Sequence, residues 1–254
     1  CLQCKKSLYS HCEDGGWILG HLIDGTQAEY VRIPHADHSL YHIPDNVTDE
    51  AAVMLSDIFP TGFEIGVLAS RVKPGDCVAI VGSGPIGLAA LLTAQFYSPA
   101  QIIMIDVDDN RLAVAKLLGA TYTINPQKEN VVEKVMDITN KAGVDVAMEA
   151  VGVPESFITC QQIISAGGYI ANIGVHGKVV DLHLESLWIK NITITMGLVN
   201  TNTTPMLLKT VQSGKLKPEQ LITHHFTLDD IVKAYDIFKH AADNQTLKVI
   251  ISNT

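Results

Sequence analysis

The heptapeptide Val81-Gly82-Ser83-Gly84-Pro85-Ile86-Gly87 sets three glycines at the spacing G-x-G-x-x-G, between a β-rich run and an apolar helical run. Such spacing is a weak signal by itself, and an unliganded glycine-rich turn would satisfy it. A strand directly before and a helix directly after make it specific. Gly82 permits a tight turn, Gly84 leaves no Cβ in the way of a pyrophosphate, and Gly87 lets the helix pack closely on the strand. The helix N-terminus offers free N–H groups and a partial positive charge to phosphate oxygens. Pro85 has no N–H to offer, but its fixed φ suits a first helical turn. Asp106 strengthens the reading. It ends the next β-rich run about 20 residues beyond the loop, where a carboxylate accepts hydrogen bonds from ribose hydroxyls. A 2′-phosphate there would meet Asp106 and Asp108 as like charges, so NAD rather than NADP is the expected dinucleotide. Arg111 pulls the other way, because a guanidinium receives phosphate well; its expected place is over the adenine end.

The elements needed to position these groups are visible in the pattern. From Asp76 onward, short β-rich runs alternate with helical periodicity, the signature of βαβ units and a parallel sheet. Strands are expected at residues 78–81, 102–105, 122–124, 144–148, 169–173 and 192–195. Helices are expected at 86–96, 110–118, 130–142 and 155–165, with Gly119 and Gly143 as stop signals. The fold class is therefore α/β, a doubly wound parallel six-stranded Rossmann sheet spanning residues 59–198. Val151-Gly152 and Ile173-Gly174-Val175 follow strands at the carboxyl edge, where open α/β sheets bind their ligands. Residues 1–58 read differently, with Gly, His and Pro breaking up alternating runs such as 28–33, and suggest a β-rich partner domain. Residues 199–254 return to it with helices at 204–211 and 229–241 and a strand at 247–251.

Bulk properties narrow the function classes. With 254 residues, 47% of them hydrophobic, the chain can bury a sizeable core. Its net charge of −9 is spread out, and no Lys/Arg-rich stretch forms the basic face of a nucleic-acid binder. The longest apolar runs are too short for a bilayer and no leader opens the chain, so a soluble, cytoplasmic protein with no membrane partner is expected. Of five cysteines, Cys1, Cys4 and Cys12 crowd the start, which points to zinc thiolates in a reducing compartment rather than to disulfides. Cys77 and Cys160 sit in apolar segments as small core residues. Because the chain opens inside the cysteine motif, its N-terminal segment is expected to be missing.

Taken together, these motifs resemble the zinc-dependent medium-chain alcohol dehydrogenase family over essentially the whole chain. Cys1-x-x-Cys4-x₇-Cys12 is similar to the last three ligands of that family's four-cysteine structural zinc lobe. The segment Met54-Leu55-Ser56-Asp57-Ile58-Phe59-Pro60-Thr61-Gly62-Phe63 resembles the helix entry carrying the third catalytic zinc ligand. Asp57 stands at that position, as in bacterial secondary-alcohol dehydrogenases; by its own type it would serve equally as a helix cap. The resemblance implies that the other catalytic ligands, a cysteine and a His-Glu pair, lie upstream of Cys1. The ten histidines are accordingly expected to be mostly surface residues or residues behind the ligands, His21, His35, His38 and His176 among them. It further implies that Thr61 contacts the nicotinamide ribose, that Lys248 pairs with the pyrophosphate, and that Trp17 and Leu198 shape the alcohol pocket. Residues 1–58 become part of a GroES-like catalytic domain. The implied activity is hydride transfer between NAD and a small alcohol, ketone or aldehyde, the alcohol being secondary in this branch's habit, with zinc as Lewis acid. A polyol or amino-alcohol dehydrogenase, or a cofactor-binding module without turnover, are the competing readings. The family habit is a homo-dimer or homo-tetramer, with the edge strand at 192–195 a candidate for two-fold pairing.

Overall fold

The computed structural model describes residues 1–253. The chain divides into two compact units, one formed by Ile58–Gly197 and the other by Cys1–Asp57 together with the chain from Leu198 onward.

The Ile58–Gly197 unit is built on six parallel strands: β1 (Cys77–Val81), β2 (Gln101–Ile105), β3 (Tyr122–Ile124), β4 (Val144–Glu149), β5 (Ile164–Asn172) and β6 (Thr193–Met196). Their order across the sheet is β3-β2-β1-β4-β5-β6, the doubly wound arrangement whose direction reverses beside β1. Four helices connect them: α1 (Pro85–Ala94), α2 (Asp109–Leu117), α3 (Val131–Ile138) and α4 (Pro154–Ile163). The inner strands are apolar almost throughout, as required when helices cover both faces. Ala79, Val81, Ile103 and Ile105 pack with Phe157, Cys160 and Ile163 of α4 in one buried cluster. On the alternate pleat Met148 faces the other way, toward Gly66 and Ala90.

Local chemistry fixes the helix ends. Asp108 caps α2 by accepting from the N–H groups of Asn110 and Arg111, and Asn130 caps α3 by accepting from Val132 and Glu133. Helix α2 ends on Gly119 at φ +110°, with Ala120 N–H bonded to Ala115 O and Gly119 N–H to Lys116 O, a paired closure that only a left-handed residue completes without strain. Helix α3 stops at Ile138, short of the expected 142, because Asn140 and Lys141 already adopt left-handed backbone at φ +51° and +68°. Likewise α4 stops at Ile163, short of 165: Ile164 turns extended and opens β5 five residues earlier than expected, pairing with Val144 across a register break. Between the short helix Ile58–Thr61 and β1, Gly62–Leu68 forms a π-helical turn that carries no sign in the sequence.

The other unit contains one sheet, β7 (Ile222–Thr227) paired in parallel with β8 (Lys248–Ser252), with α5 (Thr204–Gln212) and α6 (Ile231–Lys239). One expectation is corrected here. Residues 28–33 form no strand, since alternation alone leaves backbone N–H and C=O groups unpaired and no neighbouring strand reaches them. Residues 222–227, in which two histidines interrupt the apolar pattern, form a strand with alternating burial that no expectation covered. Among the described residues no helix is long and apolar enough to cross a membrane.

Replacing Asn130 with Ala removes the one side-chain oxygen that accepts from both capped N–H groups of α3 while leaving the sheet untouched. Urea unfolding is expected to show a loss of about 1 kcal/mol, and Asn130→Ser, which keeps a capping oxygen, a smaller one.

Candidate functional site

The β1–α1 connection folds as a turn with no room for a Cβ at Gly82 or Gly87. Gly82 has φ +106°, Gly84 is the N-cap of α1, and Pro85 is its first residue. A Cβ on Gly87 would lie 1.8 Å from the Gly82 carbonyl oxygen, so no other residue fits there without moving the loop. Ile86 lies between, in the first turn of α1. Ser83 is wholly buried; its N–H donates to Asp106 Oδ2 at 2.6 Å, and Asp106 Oδ1 accepts the Asp108 N–H at 2.9 Å. The Asp106 carboxyl thus ties the glycine turn to the end of β2 and keeps spare lone pairs, since a carboxylate offers about four acceptor sites.

Asp108 is less available than the sequence suggested, for its carboxyl is committed to capping α2 and only 13% of its side chain is exposed. Arg111 is also placed differently. Its Nη1 lies 3.9 Å from where a Gly84 Cβ would stand, and its Nε, 3.8 Å from Asp108 Oδ2, has no hydrogen-bond partner. The guanidinium therefore borders the glycine that approaches a pyrophosphate, rather than serving only as an adenine cover. Ser83 Oγ is a second buried polar atom without a partner. Two orphaned polar groups around a turn that excludes a Cβ at Gly82 and Gly87 suit a dinucleotide phosphate, because unpaired buried polar atoms are costly unless a ligand satisfies them.

On the other side of β1, the turns after β4 and β5 form the remainder of the carboxyl edge. Val151 and Val175 expose 51% and 92% of their surfaces, while Ile173 is buried. Gly152 has φ +89°, and a Cβ on it would lie 2.5 Å from Val175 O. Between the turns sits Glu149, fully buried, which sequence reasoning missed. The available signal was one acidic residue ending the otherwise apolar run Val146-Ala147-Met148. Thr61 ends its short helix beside Gly62, whose would-be Cβ lies 2.8 Å from Ala90 N of α1.

The remaining expected residues belong to the other unit. There Asp57 lies close enough to Lys248 to act on its charge: burial pushes the Lys248 amine below its ordinary value, and Asp57 opposes that shift. Trp17 is mostly exposed, with left-handed backbone at φ +41° and its ring stacked 4.3 Å from His21. Leu198 begins the second stretch of this unit, 37% exposed. Cys1, Cys4 and Cys12 converge, their sulfur atoms all within 4.8 Å of one another and the first two 3.6 Å apart. Sulfur atoms on a tetrahedral zinc, with bonds of about 2.3 Å, stand roughly 3.8 Å apart, so the three fit three corners of such a site. Asp57 joins no comparable group of three or more donors among the described residues, so the donors on this chain do not by themselves make a catalytic metal site.

The thiols differ in reactivity. Backbone N–H groups of Asp14 and Gly15 and the Cys4 thiol lower the pKa of Cys12, whereas the bond to Cys12 raises that of Cys4. Burial raises Cys77 to about 11 and Cys160 well above its ordinary value. Only the thiolate is nucleophilic, so in metal-free protein at pH 8 iodoacetamide should label Cys12 before Cys4. Cys77 should react slowly, gaining up to tenfold per pH unit as pH rises toward about 11, and added zinc should shield the first three cysteines, read by mass spectrometry.

Known proteins agree with this architecture. The zinc-binding dehydrogenase family pattern matches residues 85–213. An alcohol dehydrogenase from Cupriavidus necator is 37% identical over 247 residues, covering 93% of this chain and 65% of that protein. The chain thus spans about two-thirds of that relative's length. Among solved structures, zinc dependent alcohol dehydrogenase 2 from Streptococcus pneumonia superposes with a TM-score of 0.94 at 56% identity, covering all of this chain and 72% of that one. Alcohol dehydrogenase TADH from Thermus sp. ATN1 gives 0.92 at 31% identity, with 99% of this chain and 75% of that one covered. With the family pattern spanning half of its length and more than half of its residues shared with a solved member, the chain belongs to the zinc-binding dehydrogenases.

Proposed function

We propose that this zinc-binding dehydrogenase transfers hydride between NAD and a small alcohol, secondary in type, giving the ketone. The observation that carries the proposal is the glycine turn locked to Asp106, with Ser83 Oγ and Arg111 Nε left for a ligand to satisfy. All three relatives described above are named alcohol dehydrogenases, and the alcohol is assigned here from the aspartate at position 57.

In this reading the dinucleotide crosses the carboxyl edge at β1. The free N–H groups opening α1 meet the pyrophosphate, Arg111 adds its charge, and Asp106 holds the adenosine ribose hydroxyls. Ser83, Gly84, Pro85 and Ile86 form the cradle, with Gly82 and Gly87 allowing its shape. Val151, Gly152, Ile173, Gly174, Val175 and Thr61 serve the nicotinamide end. When bound, NAD supplies the hydride acceptor and zinc supplies Lewis acidity. Cys1, Cys4 and Cys12 hold a structural zinc in the lobe of a GroES-like catalytic domain, and Asp57 gives one oxygen ligand toward a second. Lys248 neutralises phosphate charge, Trp17 and Leu198 border the alcohol, and the assembly is a homo-dimer or homo-tetramer in the cytoplasm.

Discrimination between the two dinucleotides tests the reading. NADH should bind at least tenfold more tightly than NADPH, and Asp106→Gly should narrow or reverse that ratio in fluorescence titrations. Equal affinity of the unaltered chain for both would defeat the assignment. Oxidation of propan-2-ol with NAD, followed by absorbance, tests the alcohol.

A further inference from the structure

We infer that Glu149 is a positioning residue for the nicotinamide half of the cofactor, acting through the two turns it joins; the inference rests on the dinucleotide reading above. Glu149 is the last residue of β4 and is wholly buried. Its Oε1 accepts three donors: the N–H groups of Val151 and Gly152, each at 2.8 Å, and the Ser156 hydroxyl at 2.6 Å. Its backbone carbonyl accepts from Ile173 at 2.8 Å and Gly174 at 3.1 Å. One residue thereby organises the turn after β4, the start of α4 and the turn after β5.

The second carboxyl oxygen is pressed between those turns. A Cβ on Gly174 would stand 2.3 Å from Oε2 and 2.4 Å from the Gly152 nitrogen. His176 Nε2 lies 3.3 Å from Oε2 and 2.8 Å from Asn172 Oδ1, and Asn172 Nδ2 donates to Gly174 O at 3.0 Å. This outer ring keeps the second turn against the carboxyl. Oε2 is otherwise without a hydrogen-bond partner, so the arrangement forgoes full satisfaction of a buried polar atom, which is tolerated where a fixed geometry is needed.

Topology says which half of the cofactor this serves. Asp106 ends β2 on one side of β1, while β4 and β5 lie on the other. A dinucleotide whose pyrophosphate sits at the β1 turn and whose adenosine ribose is held by Asp106 must lay its nicotinamide over the turns after β4 and β5. At the tips of those turns Val151 and Val175 present exposed apolar surface suited to a flat ring. Loosening Glu149 therefore disturbs one half of the cofactor and leaves the other half's site, built from β1, β2 and α1, in place.

The test compares NADH with ADP-ribose, which lacks only the nicotinamide, by calorimetric titration of the chain. Glu149→Gln keeps the side chain's size and an oxygen for the three donors, but removes the charge and sets an amide N–H₂ against the His176 Nε2–H that faces Oε2. NADH affinity should fall about tenfold while ADP-ribose affinity stays within twofold, a split that general damage to the fold would not give. Ser156→Ala, a milder change that removes one of the three donors to Oε1, should give the same split at about threefold. In the free Glu149→Gln protein, amide exchange should quicken at residues 151–152 and 173–174. An equal loss for both ligands, or an unchanged NADH to ADP-ribose ratio in both variants, overturns the proposal. An unaltered chain that binds neither ligand overturns the dinucleotide reading itself, an outcome the two variants do not produce.

Discussion

The organisation of the molecule depends on one close backbone contact: Gly87 packed on the carbonyl of Gly82, where a Cβ would come within 1.8 Å. That contact brings the first turn of α1 down onto the end of β1. It also points the N-terminus of α1 across the carboxyl edge of the sheet. The near-continuous apolar strands of β1, β2 and β4, buried on both faces, supply a rigid floor under this turn. On that floor a short hydrogen bond from Ser83 to Asp106 suffices to set the distance between the loop and the neighbouring strand. The cradle is thus preformed, and binding need not meet the cost of ordering it.

The same logic divides the carboxyl edge into two regions with different supports. Near β2 the support is a carboxyl group whose neighbours are backbone N–H groups and a helix cap. Near β4 and β5 it is a buried carboxyl gripped by two turns. Both use one acidic side chain at the end of a parallel strand to collect backbone donors that would otherwise be stranded where the sheet stops. Asp106 remains partly open and Glu149 fully enclosed, which fits the first to meet a ligand itself and the second to hold what meets it.

How far these features were legible in the residues depended on the range of their causes. The glycine turn, Asp106, and strands β1 to β4 follow from local composition and spacing, and the structure places each within a residue or two of expectation. The helix stop at Gly119 was equally local. Glu149 was not visible as a support, because half of what it holds lies about 25 residues further along, in the turn after β5. The ends of α3 and α4 moved because backbone choices at Asn140, Lys141 and Ile164 answer to the following strand, not to helical periodicity. Residues 28–33 show the opposite error, an alternating pattern without a strand beside it. The arrangement of the three cysteines was read from spacing and is seen as a convergent cluster, whereas Asp57 stands as one donor with Lys248 in its field.

The central claim is that the β1–α1 turn is where the dinucleotide phosphates bind. Amide chemical shifts of the isotopically labelled chain, followed while NADH is added, test it most directly. The account predicts saturable shifts centred on Ser83, Gly84, Ile86, Gly87 and Arg111, extending to Val151–Gly152 and Gly174–Val175. Saturable binding that leaves the amides of residues 82–87 unmoved would contradict it.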